Sequence, residues 1–135
     1  MLESSTAELN RCLFHNNTAD NNGGVGSASS KSNITSAQSR FEHNTAFASA
    51  GVFELDDSIF ISRNNTFVSN TAISGNGGVL RLKNKASVTW DGTDRAEQNR
   101  ALQGGGGVAC RSAPLFISLL KVSYPDLVPP SSLLQ

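Results

Sequence analysis

The side chains best placed for chemistry are carboxylates and cations that alternate with apolar residues in two stretches of the sequence. The first stretch carries Glu54, Asp56 and Asp57, and the second carries Arg81 and Lys83. Carboxylates grouped with Arg and Lys on one outer face could bind an acidic sugar and abstract or donate a proton. A polysaccharide-cleaving site built in this way would use Asp56, Asp57, Arg81 and Lys83.

The same residues have a simpler interpretation as a solvated surface. If the two stretches lie side by side, Glu54 faces Arg81 in an exposed ion pair of small stability. Asp56 then faces Lys83 in the same way. We favour this interpretation and expect no catalytic residues.

The two histidines of the chain raise the question of a metal site. His15 precedes Asn17 by two residues, and His43 precedes Asn44 by one. A stacked pair of imidazoles could bind a metal ion, but no third ligand recurs with them. We therefore expect both to be solvated turn residues, with no metal and no cofactor bound.

Cysteines, sequons and a glycine run give weaker signals. Cys12 and Cys110 are too few for a disulfide framework, and no Cys/His spacing suits zinc. The run Gly104–Gly107 lacks the Lys-Ser/Thr of a phosphate loop, so it indicates an enlarged bend. Three Asn-x-Thr sequons would be glycosylation sites in a secreted eukaryotic protein, although chance explains most matches in so Asn-rich a chain: Asn16, Asn33 and Asn64.

Length and charge exclude several classes of protein. The 135 residues suffice for one domain, and 11 basic residues balance 11 acidic ones. A general nucleic-acid binder would need a basic excess, so we expect no nucleic-acid partner. The first residues show no signal peptide, and the longest apolar stretch, residues 115–122, is too short to span a membrane, which needs about 20 residues.

Two short phrases that alternate along the chain organise all of these residues. Phe-x-x-Asn occurs three times, and a fourth copy keeps only its Asn: Phe14, Phe41 and Phe67 with Asn17, Asn44, Asn70 and Asn99. Each copy is followed by a Gly-Val phrase that ends at Val25, Val52, Val79 or Val108. The Asn residues are 27, 26 and 29 residues apart, and the Val residues 27, 27 and 29. A shared period of this length is typical of stacked-repeat proteins.

Strand patterns follow each Gly-Val phrase. Apolar residues occupy the first and third positions after the Val and polar residues the second and fourth, as in the half-buried strand Phe53 to Asp56. A second strand should point inward with Ser32/Ile34, Ile59/Ile61 and Ala86/Val88, and a third should end at the next Phe. The pattern predicts an all-β, right-handed parallel β-helix of about four coils over residues 1–111. Residues 112–135, which hold all four prolines, would be a cap or a disordered tail.

Stacking in register places equivalent residues in columns. We expect the Phe residues to form an interior stack, the Asn residues a ladder of amides, and the four Val residues a third column. Asn would also supply the left-handed backbone of a sharp bend, and the Gly pairs would permit the next bend. Leu9, Leu13 and Phe14 suggest that residues 1–13 are the end of a coil. Cys12 and Cys110, about four coils apart, should not pair.

Over about residues 9–110, the alternation of Phe-x-x-Asn with Gly-Gly-Val resembles the polymorphic outer-membrane protein repeat family. The family signature has Gly-Gly-Ala-Ile, and here Val replaces Ala-Ile. The resemblance implies an extracellular or cell-surface β-helix linked to adhesion, with surface proteins or glycans as partners. It also implies further coils of the same parent protein. Because a short stack leaves both ends exposed and an uncapped β-edge invites pairing with another chain, we expect this segment alone to be marginally stable or self-associating.

Two hypotheses about function follow. The favoured one is a structural or adhesive β-helix segment of a cell-surface or secreted protein, without catalysis. The alternative is a carbohydrate-active, pectin-lyase-like β-helix that binds or cleaves polysaccharide. Cleavage of uronate polymers or calcium-dependent glycan binding would distinguish them.

Overall fold

Four parallel sheets stack into a β-solenoid of about four coils in the computed structural model. The structure describes residues 1–91, 93–103, 108–111 and 121–122, and this part of the chain contains strands and turns but no helix. The predicted all-β parallel solenoid is therefore confirmed. Most of the predicted tail, residues 112–135, lies outside the described residues, so a cap or a disordered tail stays a prediction.

The strands follow one another in a fixed order around each coil: β1 (Leu2–Glu3), β2 (Thr6–Asn10), β3 (Leu13–His15), β4 (Thr18–Ala19), β5 (Gly26–Ser29), β6 (Asn33–Ala37), β7 (Arg40–Glu42), β8 (Thr45–Ala46), β9 (Phe53–Asp56), β10 (Ile59–Arg63), β11 (Thr66–Val68), β12 (Thr71–Ala72), β13 (Leu80–Lys83), β14 (Ser87–Trp90), β15 (Arg95–Glu97), β16 (Arg100–Ala101), β17 (Val108–Arg111) and β18 (Lys121–Val122). Each coil has four strands where three were expected. The fourth is a two-residue strand, Thr-Ala in coils 1 to 3 and Arg-Ala in coil 4, with a polar and an apolar residue on opposite faces.

Every strand pairs with its equivalent in an adjacent coil. Sheet 1 stacks β1, β5, β9, β13 and β17; sheet 2 stacks β2, β6, β10 and β14; sheet 3 stacks β3, β7, β11, β15 and β18; sheet 4 stacks β4, β8, β12 and β16. We call residues 2–25 coil 1, 26–52 coil 2, 53–79 coil 3 and 80–107 coil 4. In all four sheets the coil 1 strand is an edge strand.

Residues 1–13 are not the end of a coil, as the sequence suggested. Leu2 pairs with Ala28 in sheet 1, and Leu9 lies in the second strand of coil 1, not the last. Leu13 is 64% exposed, so it does not belong to the core. The reason is a tight connection, with a left-handed residue at Ser4, that fits three strands into these residues.

The interior consists of columns of side chains stacked along the solenoid axis. The ring centroids of Phe14 and Phe41 are 5.0 Å apart and those of Phe41 and Phe67 4.9 Å, with nearly parallel planes. In coil 4 the equivalent residue is Ala96, which pairs with Phe67 in sheet 3. Trp90, from sheet 2, packs edge-on against Phe67 at 5.2 Å and fills the space that a fourth Phe would take.

The predicted inward face of the second strand is wrong in coil 3. Phe60, not Ile59 or Ile61, pairs with Ile34 and Val88 and is fully buried, while Ile59 is 41% exposed. The turn before β10 has two residues, 57–58, whereas the turns before β6 and β14 have three, 30–32 and 84–86. One residue fewer shifts the register by one position and reverses which side chains point inward.

The expected column of four Val residues contains only three. Backbone N–H groups of Val25 and Val52 donate to the carbonyls of Val52 and Val79 at 3.0 and 2.9 Å, but Val108 pairs with Leu80. Val108 follows Asn99 by nine residues, the same interval that separates Phe53 from Asn44. The strand register therefore follows the residue count of the bend, and coil 3 has one residue more there.

The two residues of each Gly pair have different roles. Gly23 and Gly77 have left-handed backbones, and an added Cβ would overlap a carbonyl oxygen of the following strand. Gly24 and Gly51 approach the next coil so closely that a Cβ would overlap its backbone oxygen. Ala50 takes the first position in coil 2 with φ 62°. The pair thus permits both the bend and the close stacking of coils.

Candidate functional site

The bend between sheets 3 and 4 is held by one Asn from each coil, which we call the Asn column: Asn17, Asn44, Asn70 and Asn99. The Oδ1 atom of Asn44 accepts hydrogen bonds from the backbone N and from Nδ2 of Asn17, at 3.1 and 2.8 Å. Its Nδ2 donates to the Phe14 carbonyl at 3.0 Å and to Oδ1 of Asn70 at 2.9 Å. Asn70 repeats this pattern between coils 2 and 4.

The left-handed backbone of this bend does not belong to the Asn column, as we expected from the sequence. It belongs to the residue before each Asn, where φ lies between 54° and 57°: Asn16, His43, Ser69 and Gln98. The Asn residues are needed for their amides, because a side chain that both donates and accepts satisfies backbone groups on two coils. The residue before each Asn has the left-handed backbone, and in coil 2 this residue is the exposed His43.

Three potential metal ligands meet on the outer surface beside this bend. His15, at the end of β3, pairs with Glu42, at the end of β7, and His43 follows Glu42 directly. The imidazole centroids are 5.4 Å apart, and one donor atom from each of the three side chains lies within 4.8 Å of the others. No third ligand recurs with the histidines along the chain, yet the pairing of β3 with β7 brings Glu42 beside both of them.

Glu42 escaped the sequence analysis because it does not recur with the histidines along the chain. Stacking of coils brings it level with His15, from which it is 27 residues away. Its carboxylate accepts a hydrogen bond from Nε of Arg40 at 2.8 Å and forms an ion pair with the same guanidinium. Both histidines are exposed and Glu42 is half-buried, so all three can be reached from solvent.

A second column supports the bend between sheets 2 and 3, and its residues differ from coil to coil. We call it the mixed column: Cys12, Ser39, Asn65 and Asp94. Each residue accepts a hydrogen bond from the backbone N–H of the one before, at 3.1, 2.8 and 2.7 Å along the chain. Residue type gave no signal of this column. Its position two residues before the Phe, or before Ala96 in coil 4, was the only clue.

Asp94 ends the mixed column as a buried carboxyl. Its Oδ1 accepts from the Asn65 backbone at 2.7 Å and from the Ser62 hydroxyl at 2.9 Å, and its Oδ2 accepts from the Asp91 backbone at 3.1 Å. Burial raises the pKa of this carboxyl because desolvation penalises the charged form, although the hydrogen bonds oppose the shift. Asp94 serves packing and not surface chemistry.

The candidate catalytic residues form an ion-pair cluster on the outer face of sheet 1. Glu54 pairs with Arg81 in register, and Asp56 pairs with Lys83. Arg81 contacts Glu54 at 2.9 Å, and Nζ of Lys83 lies 3.3 Å from Glu54 and 3.5 Å from Asp56. Asp57 lies apart, in the left-handed turn that follows β9. The cluster therefore neutralises its own carboxylates.

Glu54 is more enclosed than the sequence suggested. Its residue exposure is 8%, and Asn22 donates a third hydrogen bond to its carboxylate at 3.2 Å. The expected fully exposed pair with Arg81 is thus wrong in this respect. The cause is the bend of coil 1, whose Asn22 side chain reaches Glu54.

The cysteines, the sequons and the glycine run were also singled out from the sequence. Cys12 carries a free thiol, and Cys110 lies in β17, so that its side chain is outside the described residues. The three sequon residues are all exposed: Asn16, Asn33 and Asn64. The Gly104–Gly107 run also lies outside the described residues. Among those in the described part of the chain, only Asn16 lies beside the histidines, since it follows His15 and its backbone N–H donates to the Glu42 carbonyl at 3.1 Å.

Coil 1 exposes the end of the hydrophobic core. Leu2, Leu9 and Phe14 are half-buried against the core, and they line a cavity of about 220 Å³ with Ile34 and Phe53 behind it. Within the described part of the chain, Oδ1 of Asn17 accepts no bond of the kind that Asn44 and Asn70 accept. This end of the solenoid thus combines apolar surface with unused hydrogen-bonding groups.

Comparison with protein families, with curated proteins and with solved structures finds no match to this chain. The described residues contain no membrane-spanning helix.

Proposed function

We propose that this chain is a non-catalytic, structural or adhesive β-helix segment of a secreted or cell-surface protein. Its end at coil 1 stacks against another coil of the same repeat type, from the same parent protein. Its sides are available to surface proteins or glycans. The resemblance to the polymorphic outer-membrane protein repeat supports the cell-surface location and the adhesive role.

The observation that carries this proposal is the end face of coil 1. Its four edge strands surround half-buried apolar side chains and a cavity, whereas coils 2 and 3 have a neighbouring coil on both sides. A parallel coil would pair with these strands about 4.8 Å away and would extend the Phe and Asn columns. The occupant we propose is therefore a β-helix coil with inward apolar residues, since only such a coil continues both kinds of contact.

The outer face gives support for a non-catalytic role. Glu54 and Asp56 are engaged by Arg81 and Lys83, and Asn84 also donates to Asp56. A general acid or base needs a proton-transfer path to its substrate. The carboxylate oxygens of Glu54 and Asp56 instead contact side chains of the same surface.

Sedimentation velocity over a range of protein concentrations tests the end-face interface. We expect the chain to self-associate, because the isolated protein can stack only on its own copies. Leu9→Asp should keep it monomeric, since the charge lies in the stacking face. Ile59→Asp is the matched control, because Ile59 is exposed on the side of sheet 2. A wild-type chain that stays monomeric at every concentration would contradict the interface.

Incubation with uronate polymers, with and without calcium, tests the carbohydrate-active alternative. We expect no new sugar ends. Cleavage that is lost in Asp56→Asn and Arg81→Gln, with circular dichroism unchanged, would establish the enzyme and overturn our proposal.

A further inference from the structure

The cluster of His15, Glu42 and His43 has the donors of a transition-metal site. Its ligands come from two coils: His15 from coil 1, and Glu42 and His43 from coil 2. The donor atoms lie within 4.8 Å of one another, whereas a tetrahedral zinc site needs them about 3.3 Å apart, given Zn–N bonds of about 2.0–2.1 Å. The exposed imidazoles can close this gap by side-chain rotation alone.

The backbone beneath the cluster is fixed. The Asn16 N–H donates to the Glu42 carbonyl at 3.1 Å, and the His43 N–H donates to the Val68 carbonyl at 3.0 Å. His43 keeps a left-handed conformation with φ 55°. The ligand-bearing Cα positions are thus held by the stacking of coils, and a metal ion would need to order only side chains.

The chemistry of the ligands limits which ion fits. Two imidazoles and one carboxylate suit Zn²⁺ and neighbouring transition metals, while Ca²⁺ and Mg²⁺ prefer oxygen ligands. Three protein ligands leave a fourth position for water. The equivalent residues of coil 3 are Val68 and Ser69, so the arrangement does not arise from the repeat itself.

We propose that His15, Glu42 and His43 bind one transition-metal ion of the zinc type, and that the ion clamps coil 1 to coil 2. Coil 1 has an edge strand in every sheet, so it is stabilised from one side only. A metal bridge between β3 and the β7 bend would hold this edge in place. Arg40 competes with the metal ion, because its guanidinium is hydrogen-bonded and ion-paired to the Glu42 carboxylate.

Isothermal titration of the metal-free chain with ZnCl₂ tests the site. We expect one ion per chain, no binding of Mg²⁺ or Ca²⁺, and a rise in Tm with zinc. Glu42→Gln should weaken the affinity at least about tenfold, since even residues behind the ligands change metal affinity by about 10–100-fold. Arg40→Gln should strengthen it by removing the competing cation. The double variant His15→Gln/His43→Asn should lose both the heat of binding and the rise in Tm.

Glu97→Gln is the matched control. Glu97 forms the same ion pair with Arg95 at 2.6 Å, at the same position of coil 4, without a histidine beside it. Its substitution should leave zinc affinity unchanged. Equal weakening by Glu42→Gln and Glu97→Gln would overturn the site. So would zinc binding that survives the double His variant and disappears in Cys12→Ser, because the thiol would then be the ligand.

Discussion

Two kinds of column run along the axis of this solenoid: those that repeat one residue type, and one whose residue type changes from coil to coil. The Asn column and the Phe column repeat one residue type, whereas the mixed column passes from Cys12 through Ser39 and Asn65 to Asp94. Both the Asn column and the mixed column accept backbone N–H groups at a bend. The difference lies in their neighbours: hydroxyls of Ser36 and Ser62 bond to the mixed column.

This contrast indicates when a repeat protein must repeat a residue. The buried amides of Asn44 and Asn70 each make four bonds to two neighbouring coils, and no other side chain of that size both donates and accepts in this way. In the mixed column a hydroxyl, an amide or a carboxylate can accept the same N–H, because the nearby serines supply the remaining donors and acceptors. Because the hydrogen bonds are divided between the mixed column and the neighbouring serines, the residue type in the mixed column can vary.

The largest effect should come from the Phe column. Phe41 is fully buried between two other rings, so Phe41→Ala should lower the free energy of unfolding by about 3–5 kcal/mol. Phe14→Ala should cost less, because Phe14 lies in coil 1 and is only half-buried. Urea unfolding followed by circular dichroism measures both. Equal, small losses of unfolding free energy in the two variants would show that the repeated Phe residues are not constrained by interior stacking.

The Asn column and the mixed column can be compared by one substitution made twice. Asn70→Ser removes an amide that bonds to two coils, so we expect a loss of about 2–3 kcal/mol from unsatisfied buried groups. Asn65→Ser recreates the hydroxyl that Ser39 already provides in coil 2, and should cost about 1 kcal/mol. Urea unfolding curves of the two variants measure these losses. A larger loss in Asn65→Ser than in Asn70→Ser would contradict the proposed difference between the two columns.

The smallest effect should be a dependence on pH at the end of the mixed column. Because burial raises the pKa of Asp94 in the folded state, its contribution to stability is fully present below the unfolded pKa. That contribution is lost as the pH rises through the folded value. Asp94→Asn should therefore gain stability relative to the wild type as the pH rises from acid to neutral.

Thermal melts of both proteins from pH 3 to pH 7 measure this difference. The pKa of Asp91 is lowered, chiefly by the Thr93 hydroxyl, and would give the opposite trend. Asp91 is present in both proteins, and because its charge also raises the pKa of Asp94, the comparison measures Asp94 together with its coupling to Asp91. A constant difference in Tm across the range would show that Asp94 keeps one protonation state.

The features that could be predicted from the sequence are those that recur with a fixed period. Phe and Asn recur at a fixed spacing, so the parallel solenoid and the positions of Phe41 and Asn44 followed directly from it. Residues whose place depends on turn length did not follow. Ile59 was predicted to be buried because a turn shortened by one residue leaves no mark in the apolar pattern. Val108 was placed beside Val79 because the additional residue in the bend of coil 3 leaves no mark either.

The candidate sites were less predictable than the fold because they depend on contacts between coils. Glu42 meets His15 only through the pairing of β3 with β7, and Asn22 reaches Glu54 from a bend. The mixed column shares no residue type that a search along the chain could detect. Periodicity identifies columns of identical residues, whereas a site is built from unlike residues of neighbouring columns.

The amides of the Asn column all point the same way along the axis. Each Nδ2 donates to the Oδ1 of the following coil, from Asn17 to Asn44, to Asn70 and to Asn99. Aligned amide dipoles polarise one another, so each bond strengthens the next. The negative end of this chain of dipoles is Oδ1 of Asn17, at the edge of coil 1. A coil that stacks there must present a donor, which gives the growing solenoid a direction as well as a register.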